Sequence, residues 1–308
     1  MSEQTNPAAT SDAWTVIRLL KWTTDFFRKR GSESPRLEAE VLLAHALNCT
    51  RIELYTAFGT EPNSAQKDSF RDMVKRRGDG VPVAYLVGYR EFYSLRLEVN
   101  PAVLIPRPET EHVVIEALDR AKAFAQTPLN RPLRIVDVGT GSGAIAIAVA
   151  KHIATVYPAG AEITAIDVSP DALAVAEKNA QSNGVADQIR FQVGNLLAAL
   201  PCEPSLDLVL SNPPYVSESE FTELSPTVRD HEPKLALVSG ERGTELIQPL
   251  VEQAAQRLHP GGQLIVELSP MIAEAVAKIV TDDGRYSPPK FIKDLAGHRR
   301  VLSVTRLS

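Results

Sequence analysis

The sequence predicts an α/β protein in which a doubly wound, mostly parallel sheet follows a small all-helical domain. Three observations lead to this fold class. Residues 1–80 show helical apolar spacing and no strand pattern, residues from about 106 onward alternate short apolar strands with helices, and the last two strands can pair antiparallel. At 308 residues the chain suits about two domains of roughly 150 residues each.

The first domain is expected to be helical over residues 1–80. Between residues 13 and 30, apolar side chains recur at steps of three, four or their sums, which is typical of an amphipathic helix. The apolar positions are Trp14, Ile17, Leu20 and Phe27 in this first helix, and Leu37, Val41, Ala44 and Leu47 in a second one that begins at the capping pair Ser34-Pro35. Further helices are predicted over 51–57 and 64–77.

A short β-hairpin linker is expected next, over residues 81–105. Tyr, Phe, Val and Leu alternate here with polar residues, and Gly88 and Asn100-Pro101 interrupt the pattern. The predicted boundaries are therefore 1–80 for the helical domain, 81–105 for the linker and 106–308 for the second domain.

The second domain alternates strands and helices in a βαβαβ pattern that is typical of an open, doubly wound sheet. Strands are predicted at 134–138, 162–167, 189–193, 206–210, 235–238 and 263–268, followed by the antiparallel pair 290–295 and 300–306. Helices are predicted at 109–125, 144–153, 170–182, 244–258 and 271–281.

Composition and charge exclude several classes of protein. Residues up to Gly88 carry 12 basic and 11 acidic side chains and the rest carry 21 and 27, so neither part has the basic excess of a nucleic-acid backbone binder. No apolar run approaches the roughly 20 residues that span a bilayer. Two cysteines, Cys49 and Cys202, cannot make a disulfide framework or a four-ligand zinc site. With a polar, acidic N-terminus, these features lead us to expect a cytoplasmic protein without membrane, metal or stable nucleic-acid partners. We also expect it to be monomeric.

A glycine-rich loop follows the first strand of the second domain. Gly139, Thr140, Gly141, Ser142 and Gly143 stand between this strand and a helix, where glycines allow sharp turns and close approach to a ligand. The loop by itself fits a nicotinamide dinucleotide and S-adenosyl-L-methionine equally well, because Gly139, Gly141 and Ala144 also satisfy the dinucleotide pattern.

Asp167 ends the second strand, at the same edge of the sheet as the glycine loop. A carboxylate there can accept hydrogen bonds from two ribose hydroxyls. The alternative is a helix cap, but Ser169-Pro170 already provides one.

The fourth strand runs into Asn212, Pro213, Pro214 and Tyr215. Prolines lack an N–H and hold the preceding residue extended, so this loop is rigid and presents acceptors more than donors. The side-chain oxygen of Asn212 and the carbonyl of Pro213 can receive the two protons of a planar amide or amino group, and Tyr215 offers a ring to pack on a flat substrate. The alternative is a simple turn after a strand.

With the glycine-rich loop and the Asn-Pro-Pro-Tyr loop each at the end of a strand, the chain resembles class I methyltransferases that act on amino or amide nitrogens. More closely, it resembles the protein-(glutamine-N5) methyltransferases of peptide-chain release factors, the PrmC/HemK family. The resemblance covers nearly the whole chain after the first dozen residues. Besides the two loops, it rests on PVAYLVGYREF at 82–92, LIPRPETE at 104–111, RDHEPKLAL at 229–237 and DLAGHRRV at 294–301.

The resemblance implies an S-adenosyl-L-methionine-dependent enzyme with class I release factors as its protein substrates. It assigns residues 139–143 to the methionine end of the cofactor, Asp167 to its ribose, and Asn195 and Leu196 to its adenine. It also assigns residues 212–215 to the substrate glutamine, with Asn212, Pro213 and Tyr215 as catalytic residues and Asn212 also touching the cofactor. The chain departs from the family at Asn195, at Leu196 and at Ser269.

Two other functions fit part of this pattern. A DNA or RNA base amino-methyltransferase would present the same two protons to the same loop, although the net charge of −6 after Gly88 disfavours it. A non-catalytic cofactor-binding module is disfavoured because the glycine loop, the strand-end acid and the Asn-Pro-Pro-Tyr loop are all present.

Overall fold

The computed structural model describes residues 13–126 and 131–308, and it divides into two compact units, one up to Val87 and one from Gly88 to Ser308. The described part of the first unit contains five helices. They are α1 (Val16–Lys29), α2 (Pro35–Leu47), α3 (Arg51–Thr56), α4 (Ser64–Gly78) and α5 (Val83–Val87). Capping boxes at Thr50 and Asn63 fix the starts of α3 and α4, because side chain and backbone satisfy each other's hydrogen bonds there.

The buried faces of the first two helices differ from the predicted stripes. Helix α1 buries Leu20 and Phe27 as expected, but Trp14 and Ile17 are 37% and 40% exposed. The face is shifted because Thr23 and Thr24, which an apolar count omits, are buried, and Thr24 donates its hydroxyl to the Leu20 carbonyl at 2.6 Å.

Helix α2 shows the same shift. Leu37 is exposed, whereas the buried residues are Ala39, Glu40, Leu42, Leu43 and Ala44. The buried carboxylate of Glu40 accepts hydrogen bonds from Arg36, Arg51 and Tyr55. A buried polar residue with these partners occupies part of the face that the pattern assigned to leucine.

The second unit begins with the hairpin of β1 (Tyr89–Phe92) and β2 (Leu95–Glu98). Helical backbone at Val83–Val87 precedes it, so the hairpin is shorter than the predicted 81–105, and the division between units falls at Val87 and Gly88 rather than at residue 80. The remaining elements are α6 (Glu111–Phe124), β3 (Leu133–Val138), α7 (Ala144–Val156), β4 (Ala161–Asp167), α8 (Pro170–Ser182), β5 (Ile189–Val193), β6 (Leu206–Ser211), β7 (Val216–Ser217), α9 (Glu218–Glu223), α10 (Pro226–Arg229), β8 (Val238–Gly240), α11 (Ile247–Arg257), β9 (Leu258–Glu267), α12 (Ala273–Asp283), β10 (Lys290–Lys293) and β11 (Arg299–Thr305).

Seven strands form one twisted sheet in the order β10-β11-β9-β6-β3-β4-β5. All neighbours pair in parallel except β11, which is antiparallel to both β9 and β10. Helices α6, α7 and α8 bury apolar side chains on one face of the sheet, and α11 and α12 bury theirs on the other face. This is the doubly wound arrangement. The predicted fold class is confirmed, but the predicted strand at 235–238 is instead a 3₁₀ turn followed by β8, which pairs with β7 outside the main sheet.

Asn179 on α8 joins the hairpin to the glycine loop. Its side chain is fully buried, with Oδ1 accepting from the Glu98 N–H at 2.6 Å and Nδ2 donating to the carbonyls of Glu98 at 3.0 Å and Ser142 at 2.9 Å. The hairpin is therefore part of the support of the loop that follows β3.

Candidate active site

The two motif loops leave neighbouring strands of the sheet. Strands β3 and β6 pair in parallel with Val138 opposite Ser211, so the glycine loop and Asn212 begin side by side at their carboxyl ends. In open α/β sheets this edge is where ligands bind. An added Cβ at Gly139 would lie 3.9 Å from the carbonyl oxygen of Asn212, so the two backbones approach closely.

A cavity of about 700 Å³ opens at this point, a volume within the usual range for small-molecule sites. Ten of the twelve predicted site residues line it: Gly139, Thr140, Gly141, Ser142, Asp167, Asn195, Leu196, Asn212, Pro213 and Pro214. Gly143 and Tyr215 do not. The charged residues along its wall are Arg107, Asp167 and Asp171.

Asp137, near the end of β3, supports the glycine loop through hydrogen bonds. Its Oδ2 accepts from the Thr140 hydroxyl at 2.6 Å and from the Ala146 N–H at 3.1 Å. Burial raises the pKa of Asp137 to about 7, against the opposing effect of these two hydrogen bonds. The N-terminal turn of α7 therefore already holds a protein carboxyl group.

Asp167 also stabilises the glycine loop through hydrogen bonds. Its Oδ2 accepts from the Gly141 N–H at 2.9 Å and its Oδ1 from the Ser169 N–H at 3.0 Å. Each carboxylate oxygen has a second lone-pair direction, so the group can still accept from a ligand hydroxyl. Asp167 thus has both a loop-holding role and the geometry for the predicted ribose contact.

Gly143 has its own reason to be glycine. Its φ is +81°, and an added Cβ would lie 2.7 Å from the Ile147 Cδ1 and 3.2 Å from the Ala176 Cβ. Gly143→Ala is expected to cost about 1–3 kcal/mol of unfolding free energy, from left-handed strain plus crowding. It should also weaken cofactor binding, because the loop must shift.

Gly160→Ala is the matched control for this substitution. Gly160 has a φ of +70° but no atom within 4 Å of an added Cβ, so this variant carries only the backbone strain. Urea unfolding of both variants measures the difference. Equal losses of stability, with equal cofactor affinity, would show that crowding at Gly143 is absent.

Asn195 and Leu196 follow β5 and also line the cavity. Leu196 has a φ of +51°, which is uncommon for a residue with a side chain, and its neighbour Leu197 donates its N–H to the Gln253 Oε1 at 2.9 Å. The assignment of these residues to adenine stays a prediction.

Asn212 is oriented by a residue that the sequence analysis did not select. Its Nδ2 donates to the hydroxyl oxygen of the buried Thr110 at 3.1 Å. Its Oδ1 accepts no hydrogen bond from the described part of the chain. The amide is therefore held by its nitrogen, and its oxygen is available to a ligand in the cavity.

Tyr215 is set back from the cavity. Its ring packs against the apolar cluster on the α11 and α12 face, and its hydroxyl donates to the Glu267 Oε1 at 3.2 Å. Burial raises the pKa of Tyr215 well above its ordinary value, and the neighbouring Glu267 adds to this shift. In this structure the ring supports the loop, and its contact with a substrate stays a prediction.

Glu267, at the end of β9, is the second buried acid of the site. It is 2% exposed, and burial raises its pKa to about 7, against the opposing effect of the hydrogen bond that its Oε1 accepts from the Tyr215 hydroxyl. Glu267 and Asp137 could have been suspected from the sequence, because each is an acid within or ending an apolar strand.

These two acids give a pH dependence of stability. The folded-state pKa values of Asp137 and Glu267, about 7, exceed their unfolded values of 3.8 and 4.5. The folded chain therefore binds more protons between these limits, and the free energy of unfolding should fall as pH rises from 5 to 7, by at most about 1.4 kcal/mol per pH unit and group. Urea unfolding of the cofactor-free protein measures it. Asp137→Asn should flatten the curve, and a wild-type curve that is flat or rises would contradict the shifts.

Glu232 fixes another wall of the cavity. The buried carboxylate accepts from the Ile105 N–H at 3.1 Å and from the Arg107 Nη2 at 2.6 Å. The two segments 104–111 and 229–237, which entered the sequence analysis only through resemblance, are therefore joined at the site.

No group of three metal-ligating side chains occurs within residues 13–126 and 131–308. Over the same ranges, no helix combines the length and apolar character that a membrane crossing needs.

The chain matches known protein families in both of its units. Residues 129–301 match the methyltransferase domain family, and residues 18–88 match the PrmC N-terminal domain family. The release factor glutamine methyltransferase of Rhodopirellula baltica is 51% identical over 294 residues, covering 95% of this chain and 97% of that protein. The enzyme of the same name from Nitratidesulfovibrio vulgaris is 38% identical over 302 residues, covering 98% of each.

Among solved structures, the hMettl16 catalytic domain in complex with a MAT2A 3′UTR hairpin has a TM-score of 0.52 at 14% identity, covering 77% of this chain and 82% of that one. This likeness concerns the fold alone. The fold and the paired loops define a methyltransferase. Its extensive identity to the relatives above shows that the chain belongs to the release factor glutamine methyltransferase family, PrmC/HemK.

Proposed function

We propose that this protein transfers a methyl group from S-adenosyl-L-methionine to the side-chain amide nitrogen, N5, of the glutamine in the Gly-Gly-Gln motif of class I release factors. It would thereby support translation termination in the cytoplasm. The observation that carries this proposal is the meeting of the glycine loop and Asn212 at one cavity, on paired strands. The names of the relatives support the choice of release-factor glutamine as the substrate.

The arrangement of charges supports a cationic cofactor over an anionic dinucleotide. The loop N–H groups of Gly139 and Thr140 are bonded to the Ile166 carbonyl, and that of Gly141 to Asp167, so they are not available to a pyrophosphate. Asp137 already occupies the turn of α7 where a phosphate would bind. A sulfonium is compatible with these acids, whereas two phosphates would be repelled by them.

Asn212 and Pro213 are suited to bind the amide nitrogen that would accept the methyl group. The Asn212 Oδ1 and the Pro213 carbonyl are two acceptors, matching the two protons of a primary amide. The Asn212 nitrogen is bound to Thr110, so the amide presents its oxygen to the substrate. Two fixed acceptors hold the –NH2 group in one orientation and increase the electron density on its nitrogen.

In the proposed reaction the S-adenosyl-L-methionine sulfonium supplies an electrophilic methyl. Held by residues 139–143 and Asp167, it would keep the electron pair of the S–CH3 bond on sulfur, while the amide nitrogen would gain the methyl group and pass one proton to water. An amide nitrogen is a poor nucleophile because its lone pair is delocalised, so Asn212 and Pro213 act by orientation and by stabilising the developing positive charge on N–H. This mechanism needs no strong base.

The direct test is incubation with methyl-labelled S-adenosyl-L-methionine and a panel of substrates. The panel comprises a class I release factor, its Gly-Gly-Gln peptide and DNA and RNA oligonucleotides, followed by mass mapping of the labelled residue. Label on the glutamine of the release factor is expected. Label on an oligonucleotide base would instead support the base amino-methyltransferase alternative.

The unit up to Val87 is proposed to recognise the release factor. A chain of residues 88–308 keeps the hairpin and its Asn179 contacts, which a chain starting at Pro106 would lose. We expect residues 88–308 to bind S-adenosyl-L-methionine with an affinity near that of the full chain, and to lose most activity on folded release factor. Calorimetry and the label assay measure the two effects. Equal activity of both chains on release factor would rule out this role.

A further inference from the structure

We propose that Gln253, on α11, is a positioning residue for the cofactor, because its side chain holds the 195–198 turn that forms one wall of the cavity. This inference rests on the proposed cofactor and on the predicted contact of Asn195 and Leu196 with its adenine. Asn195 and Leu196 line the cavity, whereas Gln253 does not. Gln253 therefore acts on the cofactor through the turn, without touching it.

The 195–198 turn has a conformation that its sequence does not favour. The Ala198 N–H donates to the Asn195 carbonyl at 3.1 Å, which closes a β-turn, and Leu196 is the second residue of this turn with a φ of +51°. A positive φ at this position is typical of glycine, asparagine or aspartate, because most other side chains crowd the backbone there. Leucine in this conformation needs contacts from the rest of the fold to hold it.

Helix α11 provides such contacts. The Gln253 Oε1 accepts the Leu197 N–H at 2.9 Å, and one helical turn later the Arg257 Nη2 donates to the Leu200 carbonyl at 3.1 Å. Leu197 itself is fully buried in the apolar cluster on the α11 and α12 face. The side chain of Leu197 therefore anchors the turn in the core, and Gln253 fixes the orientation of the peptide unit between Leu196 and Leu197.

Arg257 shows that the attachment to α11 is kept at a cost in stability. The side chain is buried, yet it donates to two main-chain carbonyls, those of Leu200 and Gln253, and its Nε has no partner in the described part of the chain. A buried cation with an unsatisfied N–H lowers the stability of a fold. An unfavourable backbone angle and a costly buried cation thus occur in one segment, and that segment lines the cavity.

Loss of the Gln253 contact should let the turn adopt other conformations in the cofactor-free protein. Binding of S-adenosyl-L-methionine then requires the turn to form again, so the apparent Kd rises by the inverse of the fraction that is already formed. Once the cofactor is bound, the turn is restored and residues 212–215 are unaffected. Turnover at saturating cofactor should therefore stay the same.

Calorimetry and steady-state kinetics of the full-length protein test this expectation. Gln253→Ala should raise both Kd and KM for S-adenosyl-L-methionine ~3- to 10-fold, which corresponds to the loss of one hydrogen bond, and should leave kcat within about 2-fold of wild type. Gln253→Glu keeps an acceptor oxygen and should restore the affinity to within ~3-fold of wild type. A merely structural role of Gln253 would instead lower the fraction of active protein and so lower kcat.

Gln256→Ala is the matched control. Gln256 is an exposed glutamine on the same helix, and its Oε1 accepts from the Cys202 thiol at 3.2 Å, outside the turn and the cavity. Its Kd for S-adenosyl-L-methionine should equal that of wild type. Urea unfolding establishes that each variant is folded, and Gln253→Met, which keeps the length of the side chain without the acceptor oxygen, replaces Gln253→Ala if the alanine variant is not.

A fragment of the cofactor locates the effect. 5′-Methylthioadenosine carries the adenine and the ribose without the amino-acid part, so Gln253→Ala should weaken its binding by the same factor as that of S-adenosyl-L-methionine. Weaker binding of S-adenosyl-L-methionine with unchanged binding of the fragment would overturn the inference, because the turn would not act on the adenine.

The Leu197 amide reports on the turn without any ligand. In cofactor-free protein labelled with ¹⁵N-leucine, the Leu197 N–H signal, assigned by its loss in Leu197→Met, should exchange with solvent ~3- to 10-fold faster in Gln253→Ala than in wild type. The rate in Gln256→Ala should equal that of wild type. Equal rates in Gln253→Ala and wild type would overturn the inference.

The same variants distinguish this inference from the proposed function. Weaker cofactor binding in Gln253→Ala, with a wild type that does not methylate release factor, would reject the proposed substrate and support the role of Gln253. A wild type that methylates release factor, with an unchanged Kd in Gln253→Ala, would overturn the role of Gln253 alone.

Discussion

Asn212→Ala is expected to lower kcat for methylation of release factor by ~10²-fold or more, comparable to the loss of an oxyanion-hole donor. In the proposed mechanism, alanine removes the Oδ1 that receives one amide proton, so that proton loses its partner and the glutamine nitrogen is free to rotate. It also removes the Nδ2 contact with Thr110. Single-turnover kinetics with saturating S-adenosyl-L-methionine measure the effect.

Cofactor affinity should change little in Asn212→Ala, because the glycine loop and Asp167 keep their own hydrogen bonds. Asn212→Asp keeps an acceptor but loses the amide donor to Thr110, and we expect activity between those of alanine and wild type. Turnover of Asn212→Ala near that of wild type would mean that this loop is only structural, and the mechanism proposed above would have to be abandoned.

Asp167→Ala is expected to weaken binding of S-adenosyl-L-methionine by at least ~1–3 kcal/mol, or roughly 5- to 150-fold in Kd. Two losses add in this variant. One is the predicted charge-assisted contact with the ribose hydroxyls, and the other is the pair of hydrogen bonds that Asp167 accepts from the Gly141 and Ser169 N–H groups. Titration calorimetry measures the affinity.

Asp171→Ala is the matched control for charge. Asp171 lines the same cavity but is exposed in the first turn of α8, so its removal should cost at most about 1 kcal/mol. Calorimetry with NAD completes the design. Tight NAD binding without binding of S-adenosyl-L-methionine would overturn the choice of cofactor.

Local patterns were sufficient to predict the fold class and the positions of the two loops. The apolar run before Gly139, the caps at Ser169 and Pro170, and the proline pair after Asn212 each act within a few residues, and the structure has them as expected. The order of the strands was not predicted, because no local pattern specifies that the last strand, β11, is inserted between β9 and β10.

The supporting side chains could not be predicted in the same way. Thr110 contacts Asn212 across 102 positions of the sequence, and Tyr215 contacts Glu267 across 52. No periodicity records a contact between single residues in separate segments. The only signal in the sequence was a residue of a type that the pattern does not predict at its position, such as the acid that ends the apolar strand β9.

The first two helices show a different limit. A stripe of apolar residues predicts a helix, but when the stripe is wide it does not show which of its residues are buried. Trp14 is partly exposed while Thr23 and Glu40 are buried, because a polar side chain can be buried where a partner satisfies it or where its small size fits.

The contacts of Asn179 have a consequence for comparing relatives of this enzyme. All three hydrogen bonds of its side chain go to main-chain atoms, the N–H and carbonyl of Glu98 and the carbonyl of Ser142. Any amino acid except proline at position 98, and any at position 142, offers these atoms. A change of residue at position 98 or 142 therefore needs no compensating change at position 179. Covariation between these positions in an alignment will not reveal the contact. Asparagine at position 179 is the residue that encodes these three hydrogen bonds between the hairpin, α8 and the glycine loop.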